Sequence, residues 1–416
     1  MEFRVLSKKE YSDLASHHEL ASFMQTIELA NLKMSQGETI HLVGVIDKGQ
    51  VVAGALLEEK KLLFHKSSFY SPRGFLIDYH DKELLEFFTF ELKKYVKAHR
   101  GFRVIIDPNL VYRVRSSEGE ILDYKPADEE AFNNLIHLSY KHFGFNKYLE
   151  TMQVRYAYRL MLDEDYEIKK AKFSKSTRKN MEASYKKGLA VRRGTVEDLP
   201  VMEELFASTA IKKDFFHRDL AYYQEMYKYM GNLMTIYIAY LDPVTYLNNS
   251  KNLLAEEELK NEEIIHKIKV DKVGSKLINQ KEVSDHLINK YKLEVEKALE
   301  FMKEYPEGKD VGCLLSLRSG SEYLTLTSGG LEEYHSFTPK YAMYDMHIRD
   351  AYKEGFKACN FYGISGNFER ENNPLYGVYE FKKGFSGNVI EYIGQFTLEV
   401  TWFNKVYNLV KKVLGK

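Results

Sequence analysis

Between Pro243 and Pro306 the chain leaves the pattern it keeps on either side. Residues 249–305 are dominated by Glu, Lys, Asp and Asn, with Val283, Leu287, Tyr291, Val295, Ala298 and Met302 recurring at helical spacing. The earlier half, carrying Leu259, Ile264, Ile265 and Ile268, is patchier, and Val273, Gly274 and Ser275 offer a turn. The spacing predicts two helices of roughly 20 to 25 residues folded back as an antiparallel coiled-coil hairpin. It reads as an insert.

The flanks repeat one order of elements. Strands at 41–47 and 51–57 are joined by Lys48-Gly49, a hairpin signal. A strand at 62–69, the turn Ser71-Pro72-Arg73-Gly74, a helix over 82–98 and a strand at 102–107 follow. Beyond residue 233 the order returns: a strand at 234–241, the insert, strands at 312–318 and 323–328, a helix over 341–355 and a strand at 359–363. The insert stands where Lys48-Gly49 stood, so the chain is an internal duplication with a period of about 200 residues or more, read from element order rather than residue identity. The expected class is α/β (α+β) with mixed sheets: two tandem acetyltransferase-like (GNAT-like) units and an inserted coiled-coil arm. The expected boundaries are 1–150 for the first unit, 151–248 with 306–393 for the second, and 249–305 for the arm, with 394–416 packing on the first unit.

Composition narrows the function. At 416 residues the chain is long enough for two or three units by a prior of about 150 residues each. Its 60 basic and 60 acidic residues cancel, so any basic site must be local. Cys313 and Cys359 lie in apolar runs, which points to core packing in a reducing compartment and away from disulfide or zinc chemistry. Residues 1–6 do not read as a signal peptide, and no apolar run approaches the ~18 residues of a membrane span. A cytoplasmic protein is expected. The tail 402–416 alternates apolar residues with lysines and carries the only tryptophan, a pattern that fits a docked terminal helix or one lying on a membrane surface.

Several cations are candidates for chemistry. Lys382 and Lys383 follow the aromatic run Tyr376, Tyr379 and Phe381 next to a strand-end loop; they fit either an oxyanion-stabilising site or solvated edge charges. The tract 169–193, containing Lys175, Arg178, Lys179, Lys186 and Lys187 with Tyr185 interleaved, fits either a nucleic-acid footprint or a solvated face. Lys33 reads as a helix-end charge or an anion ligand, and Arg218 as a surface ion-pair partner or an anion ligand.

Specific residues then add a resemblance. Gln25-Thr26 with Lys33, HLVG at His41, SPRGFLIDY at Ser71, Asp107-Pro108, HRDLAYYQ at His217, NFYGISG at Asn360, EFKKGF at Glu380 and IEYIG at Ile390 stand in order around the insert. In these the chain resembles, over nearly its whole length, the FemABX family of aminoacyltransferases, FemA and MurM/MurN in type, which build peptidoglycan branch peptides from aminoacyl-tRNA. The resemblance implies that Lys33, Arg218 and Tyr222 hold the diphosphate of a muropeptide precursor, lipid II or a UDP-linked pentapeptide. It implies that Phe381 and Lys382 serve the transfer step, with Asp107 a lesser candidate base, and that aminoacyl-tRNA is a co-substrate without a cofactor or metal. For tRNA it adds the arm as a second candidate surface beside the basic tract, and a cytoplasmic enzyme of this kind has room for peripheral contact with the inner membrane face. Thr327 stands where the family often has tyrosine. Two other readings stay open: an acyl-CoA-dependent N-acyltransferase, for which no Gly-rich phosphate turn is found, and a non-catalytic tRNA-binding coiled-coil adaptor.

Overall fold

The computed structural model describes residues 1–122, 124, 127–148, 150–213, 216–270, 274–371 and 373–413. The earlier strands are β1 (Glu2–Val5), β2 (Thr39–Asp47), β3 (Gln50–Lys61), β4 (Ser67–Ser71), β5 (Gly101–Ile106), β6 (Val111–Arg115) and β7 (Tyr140–His142). Then come β8 (Tyr156–Met161), β9 (Leu189–Gly194), β10 (Met234–Leu241), β11 (Lys309–Ser319), β12 (Glu322–Gly330), β13 (Ala358–Ile364), β14 (Asn388–Tyr392) and β15 (Phe396–Glu399). They form a seven-stranded sheet ordered β1-β2-β3-β4-β5-β15-β7 and an eight-stranded sheet ordered β6-β14-β8-β13-β12-β11-β10-β9.

The duplication is visible in the pairing. In the first sheet β1 to β4 are antiparallel neighbours and β4 pairs parallel with β5 across the helix Lys82–Ala98. In the second, β9 to β12 repeat the antiparallel run and β12 pairs parallel with β13 across the helix Pro339–Lys353. Lys48 and Gly49, both with positive φ, close β2 onto β3 in the two-residue turn that matches strand twist. At the equivalent place between β10 and β11 rise the helices Pro243–Val270 and Ser275–Glu304, packed on each other. Val273, in the expected turn of this arm, lies outside the described residues, as do 414–416 of the tail.

Local chemistry explains the elements. Asp81 caps the first crossover helix by accepting from Leu84 N at 3.0 Å, and Leu85, Phe88, Leu92 and Val96 line its buried face. Each such side chain contributes about 1.5–3 kcal/mol on full burial, an upper figure for a compact unfolded chain. The expected strand over 62–69 is corrected to a 3-10 turn, Leu63–His65, followed by β4. Phe64 and His65 hold φ near 59° and 55°, which no strand allows.

Each half also lends a strand to the other. β6 follows the first sheet's β5 in the chain but pairs with β14 in the second sheet, where Arg115 Nε donates to Glu391 at 2.7 Å. β15, near the end of the chain, inserts between β5 and β7 of the first sheet. The base of the arm is core as well: Tyr246, Leu247, Ala298 and Phe301 pack with Tyr237, Val311 and Met343 of the second unit.

Candidate active site

The two parallel pairs differ, and the difference makes a cleft. β4 and β5 stay paired from Ser67 to Ser71. β12 and β13 pair only through Glu322–Leu324, opposite Ala358–Asn360, and then part. A bulge in β13 between Asn360 and Gly363, with Tyr362 at φ 60°, turns the end of the strand away.

Into that gap the short helix Tyr376–Lys383 delivers one amine. Lys382 Nζ donates to the carbonyl oxygens of Gly363 at 2.8 Å and Tyr362 at 3.2 Å. Lys382 is 5% exposed and makes no ion pair among the described residues. Burial, reinforced by nearby Lys340, holds its pKa well below the ordinary lysine value. Gly384 lets this helix approach closely, since a Cβ there would collide with Thr177 Oγ1, and its carbonyl accepts from Ser174 N at 2.9 Å.

Three adjoining cavities follow the unpaired half of β12. The middle one, about 310 Å³, is lined by Lys382, Lys340, Thr325, Tyr344 and Tyr362 among others. On one side it shares Leu326, Thr327 and Ser328 with a cavity of about 220 Å³ that holds Arg218 and Tyr222. On the other it shares Thr209, Ser328 and Lys340 with a groove of about 1090 Å³ lined by Phe381 and by Ser174, Ser176 and Thr177. The arrangement is a passage with a cationic middle. Lys340 Nζ lies 4.0 Å from the Phe381 ring centroid, a cation–π distance.

The structure therefore brings Lys382, Phe381, Arg218 and Tyr222 to one passage. Arg218 is exposed, its guanidinium 4.7 Å from the Tyr222 ring and 5.1 Å from that of Phe216. Thr327 borders both smaller cavities. Lys33 lines none of the three; it pairs with Glu58 at 3.0 Å and Glu38 at 3.3 Å. Its helix, Ile27–Ser35, packs on the helix Leu220–Met230 that begins just after Arg218. Asp107 is also outside the passage, buried at the end of β5, where it accepts from Arg73 N at 2.8 Å and Tyr70 Oη at 2.7 Å. Burial raises its pKa to about 6 against the pull of Arg73. A chain of hydrogen bonds links it to the passage: Gln153 Nε2 donates to Tyr70 Oη at 3.2 Å, and Tyr362 Oη donates to Gln153 Oε1 at 3.1 Å.

The basic tract divides in two. Lys169, Lys172, Arg192 and Arg193 are held by carboxylates, among them Asp163, Glu164, Asp310 and Asp350. Tyr185 donates to Asp345 at 2.8 Å, and Lys187 donates to Ser336 O at 2.6 Å. Lys175, Arg178, Lys179 and Lys186 stay exposed along the helix Lys175–Lys186, whose first turn borders the large groove.

Lys340 and Tyr362 were not singled out from the sequence. A signal for Lys340 existed: it follows Thr338-Pro339 in the first turn of a helix, where a cation opposes the macrodipole.

A family model described as the FemAB family matches residues 6–412. Aminoacyltransferase FemA of Staphylococcus epidermidis is 31% identical over 421 residues, 99% of this chain and 100% of that protein. Aminoacyltransferase FemA of Staphylococcus aureus is 29% identical over 423 residues, covering 99% of each. The crystal structure of FemX matches with a TM-score of 0.79 at 24% identity, covering 99% of this chain and 100% of that one. Fold and relatives together define the class as an aminoacyltransferase, an enzyme that hands an aminoacyl group to an acceptor. Within that class, the chain belongs to the FemAB family.

Proposed function

We propose that this branch-forming aminoacyltransferase takes Ala, Ser or Gly from aminoacyl-tRNA and joins it to the stem-peptide lysine, or to an existing branch residue, of a peptidoglycan precursor. The observation that carries the reading is the buried Lys382 amine, which has no carboxylate partner among the described residues, in the middle of three adjoining cavities. Two substrates enter from opposite ends. The precursor's diphosphate meets Arg218 and Tyr222, with Lys33 on the adjoining helix, and the 3′ end of the tRNA lies in the large groove beside Phe381 and the cationic helix.

The acceptor amine attacks the carbonyl carbon of the aminoacyl ester. A C–N bond forms, the ester C–O bond breaks, and the tRNA hydroxyl leaves with the proton that the amine gives up. The ester is already activated, so holding both substrates in line supplies much of the rate. Lys382, whose Nζ is held at the cavity by the carbonyls of Gly363 and Tyr362, stabilises the negative charge that builds on the carbonyl oxygen, while the amine's proton passes to the leaving tRNA oxygen. Lys340 adds a second positive charge to the same cavity. The acyl-CoA reading fits less well: Pro339 opens the crossover helix after β12 and removes an N–H that a pyrophosphate would use.

Purified protein given labelled aminoacyl-tRNA and either lipid-linked or UDP-linked precursor should move the label to the precursor. No transfer, together with transfer from acetyl-CoA to an amine, would overturn the reading.

A further inference from the structure

No helix among the described residues is long and apolar enough to cross a membrane. We propose that the face built by the C-terminal helix Phe403–Val413 and the turn Leu63–His65 docks the enzyme on a bilayer of anionic lipids. The helix uses only part of its apolar side to hold the fold. Phe403 and Tyr407 turn inward, each with its ring centroid 5.2 Å from that of Phe102. Trp402, Val406 and Leu409, spaced at i, i+4 and i+7, make a second stripe that faces outward, with Trp402 75% and Leu409 63% exposed. Phe64, 79% exposed, extends it, its ring centroid 6.4 Å from that of Phe403.

The charge around this stripe selects the occupant. Lys60, Lys61 and Lys405 are exposed, and Lys66 Nζ lies 6.0 Å from the Phe403 ring centroid. The nearby carboxylates hydrogen-bond other groups, Glu59 to Ser67 and His41 and Glu399 to Lys141 and Asn404, with Lys61 and Lys405 acting on them only through charge. A tryptophan-led apolar stripe beside exposed lysines fits the boundary between acyl chains and acidic headgroups. A second copy of this face would set lysine against lysine. The inference stands apart from the identity of the acceptor, because docking needs no substrate.

Trp402 is the only tryptophan in the chain, so its emission reports this surface directly. The full-length protein should show a blue shift and co-sediment with phosphatidylcholine vesicles containing about 30% phosphatidylglycerol, far more than with phosphatidylcholine alone. Leu409→Ser, at an exposed position, should weaken binding about tenfold, and Lys66→Glu combined with Lys405→Glu should abolish the preference for anionic vesicles. Three results would overturn the proposal: no vesicle binding, binding unchanged by Leu409→Ser, or a blue shift that depends on protein concentration without lipid. The last would assign the face to self-association. Vesicle binding with no aminoacyl transfer would leave the docking intact and count against the activity alone.

Discussion

Lys382 Nζ donates at 3.2 Å to the carbonyl oxygen of Tyr362, a residue held at φ 60°. The bulge of β13 and the last turn of a helix thus meet at one amine, and the hydroxyl of the same tyrosine reaches back through Gln153 and Tyr70 to Asp107. Rigid elements, rather than a loop, fix where the amine points.

Replacing Lys382 with Ala should lower kcat by about 10²- to 10³-fold and leave precursor KM within a few-fold, as expected for a group that acts on the transition state. An effect confined to KM would contradict that role. Stability should move the other way. The fold depresses the pKa of Lys382, so between its folded and unfolded values the unfolded chain binds the extra proton. The penalty is present at neutral pH and eases as pH rises toward the unfolded value. Lys382→Met should raise Tm at neutral pH, with the advantage shrinking in alkaline buffer.

Arg218→Ala should raise precursor KM by about tenfold while tRNA affinity holds, since one charge-assisted contact is worth roughly that much. Its side chain is exposed, so thermal unfolding should stay within about 0.5 kcal/mol of the parent. Kinetics against both substrates check this, and a selective loss of tRNA binding would move Arg218 to the other end of the passage.

Exposed cations of the helix Lys175–Lys186 should show the reverse selectivity. Lys175→Glu with Lys179→Glu should raise KM for aminoacyl-tRNA and flatten its salt dependence, leaving the precursor unaffected. An unchanged salt slope would remove tRNA from this face.

Asp107→Ala strands the Arg73 N–H and the Tyr70 hydroxyl and should cost about 1–3 kcal/mol. Asp107→Asn isolates the charge. The carboxyl titrates near 6 in the fold against 3.8 ordinarily, so the folded state holds the proton more tightly. Relative to Asp107→Asn, the parent should gain stability as pH falls from about 7 to about 4. Urea unfolding across that range measures the slope, and the opposite sign would mean that the carboxylate form is the favoured one.

Excising residues 255–290 with a short Gly-Ser link should leave both sheets intact, because the link spans two helices already side by side. Removing 249–305 takes Ala298 and Phe301 out of the second core and should cost several kcal/mol, about 3–5 for a buried Phe alone. Circular dichroism and thermal melts of the two deletions separate the tip from the root.

Much of the layout was legible because strong local patterns carry it. The run Met234–Leu241 is almost wholly apolar, Lys48-Gly49 is a hairpin turn, and the insert keeps helical spacing across many turns. The segment 394–416 was expected against the first unit, but not as a strand inside its sheet, and the crossing of β6 was not legible, because strands of five and four residues say nothing about which sheet will accept them. At the site, the aromatic run drew attention to Lys382 and Lys383 together, and only the family resemblance separated them; Lys383 is paired with Glu118. Density of charge misled in the basic tract, since Lys169, Arg192 and Arg193 are spent on carboxylates distant or adjacent in the chain. Lys340 and Phe381 come together only through tertiary packing, about 40 residues apart, which spacing cannot reveal.

The reciprocal loan of strands governs how this protein is made. β7 finds its neighbour only when β15 arrives, so an emerging polypeptide holds an open sheet edge while the strands β8 to β14 are being made. A prematurely terminated copy lacks that closing strand and leaves its hydrogen-bonding groups bare. The first sheet thus depends on a strand made after the rest of the second sheet, which ties the folding of the two halves together.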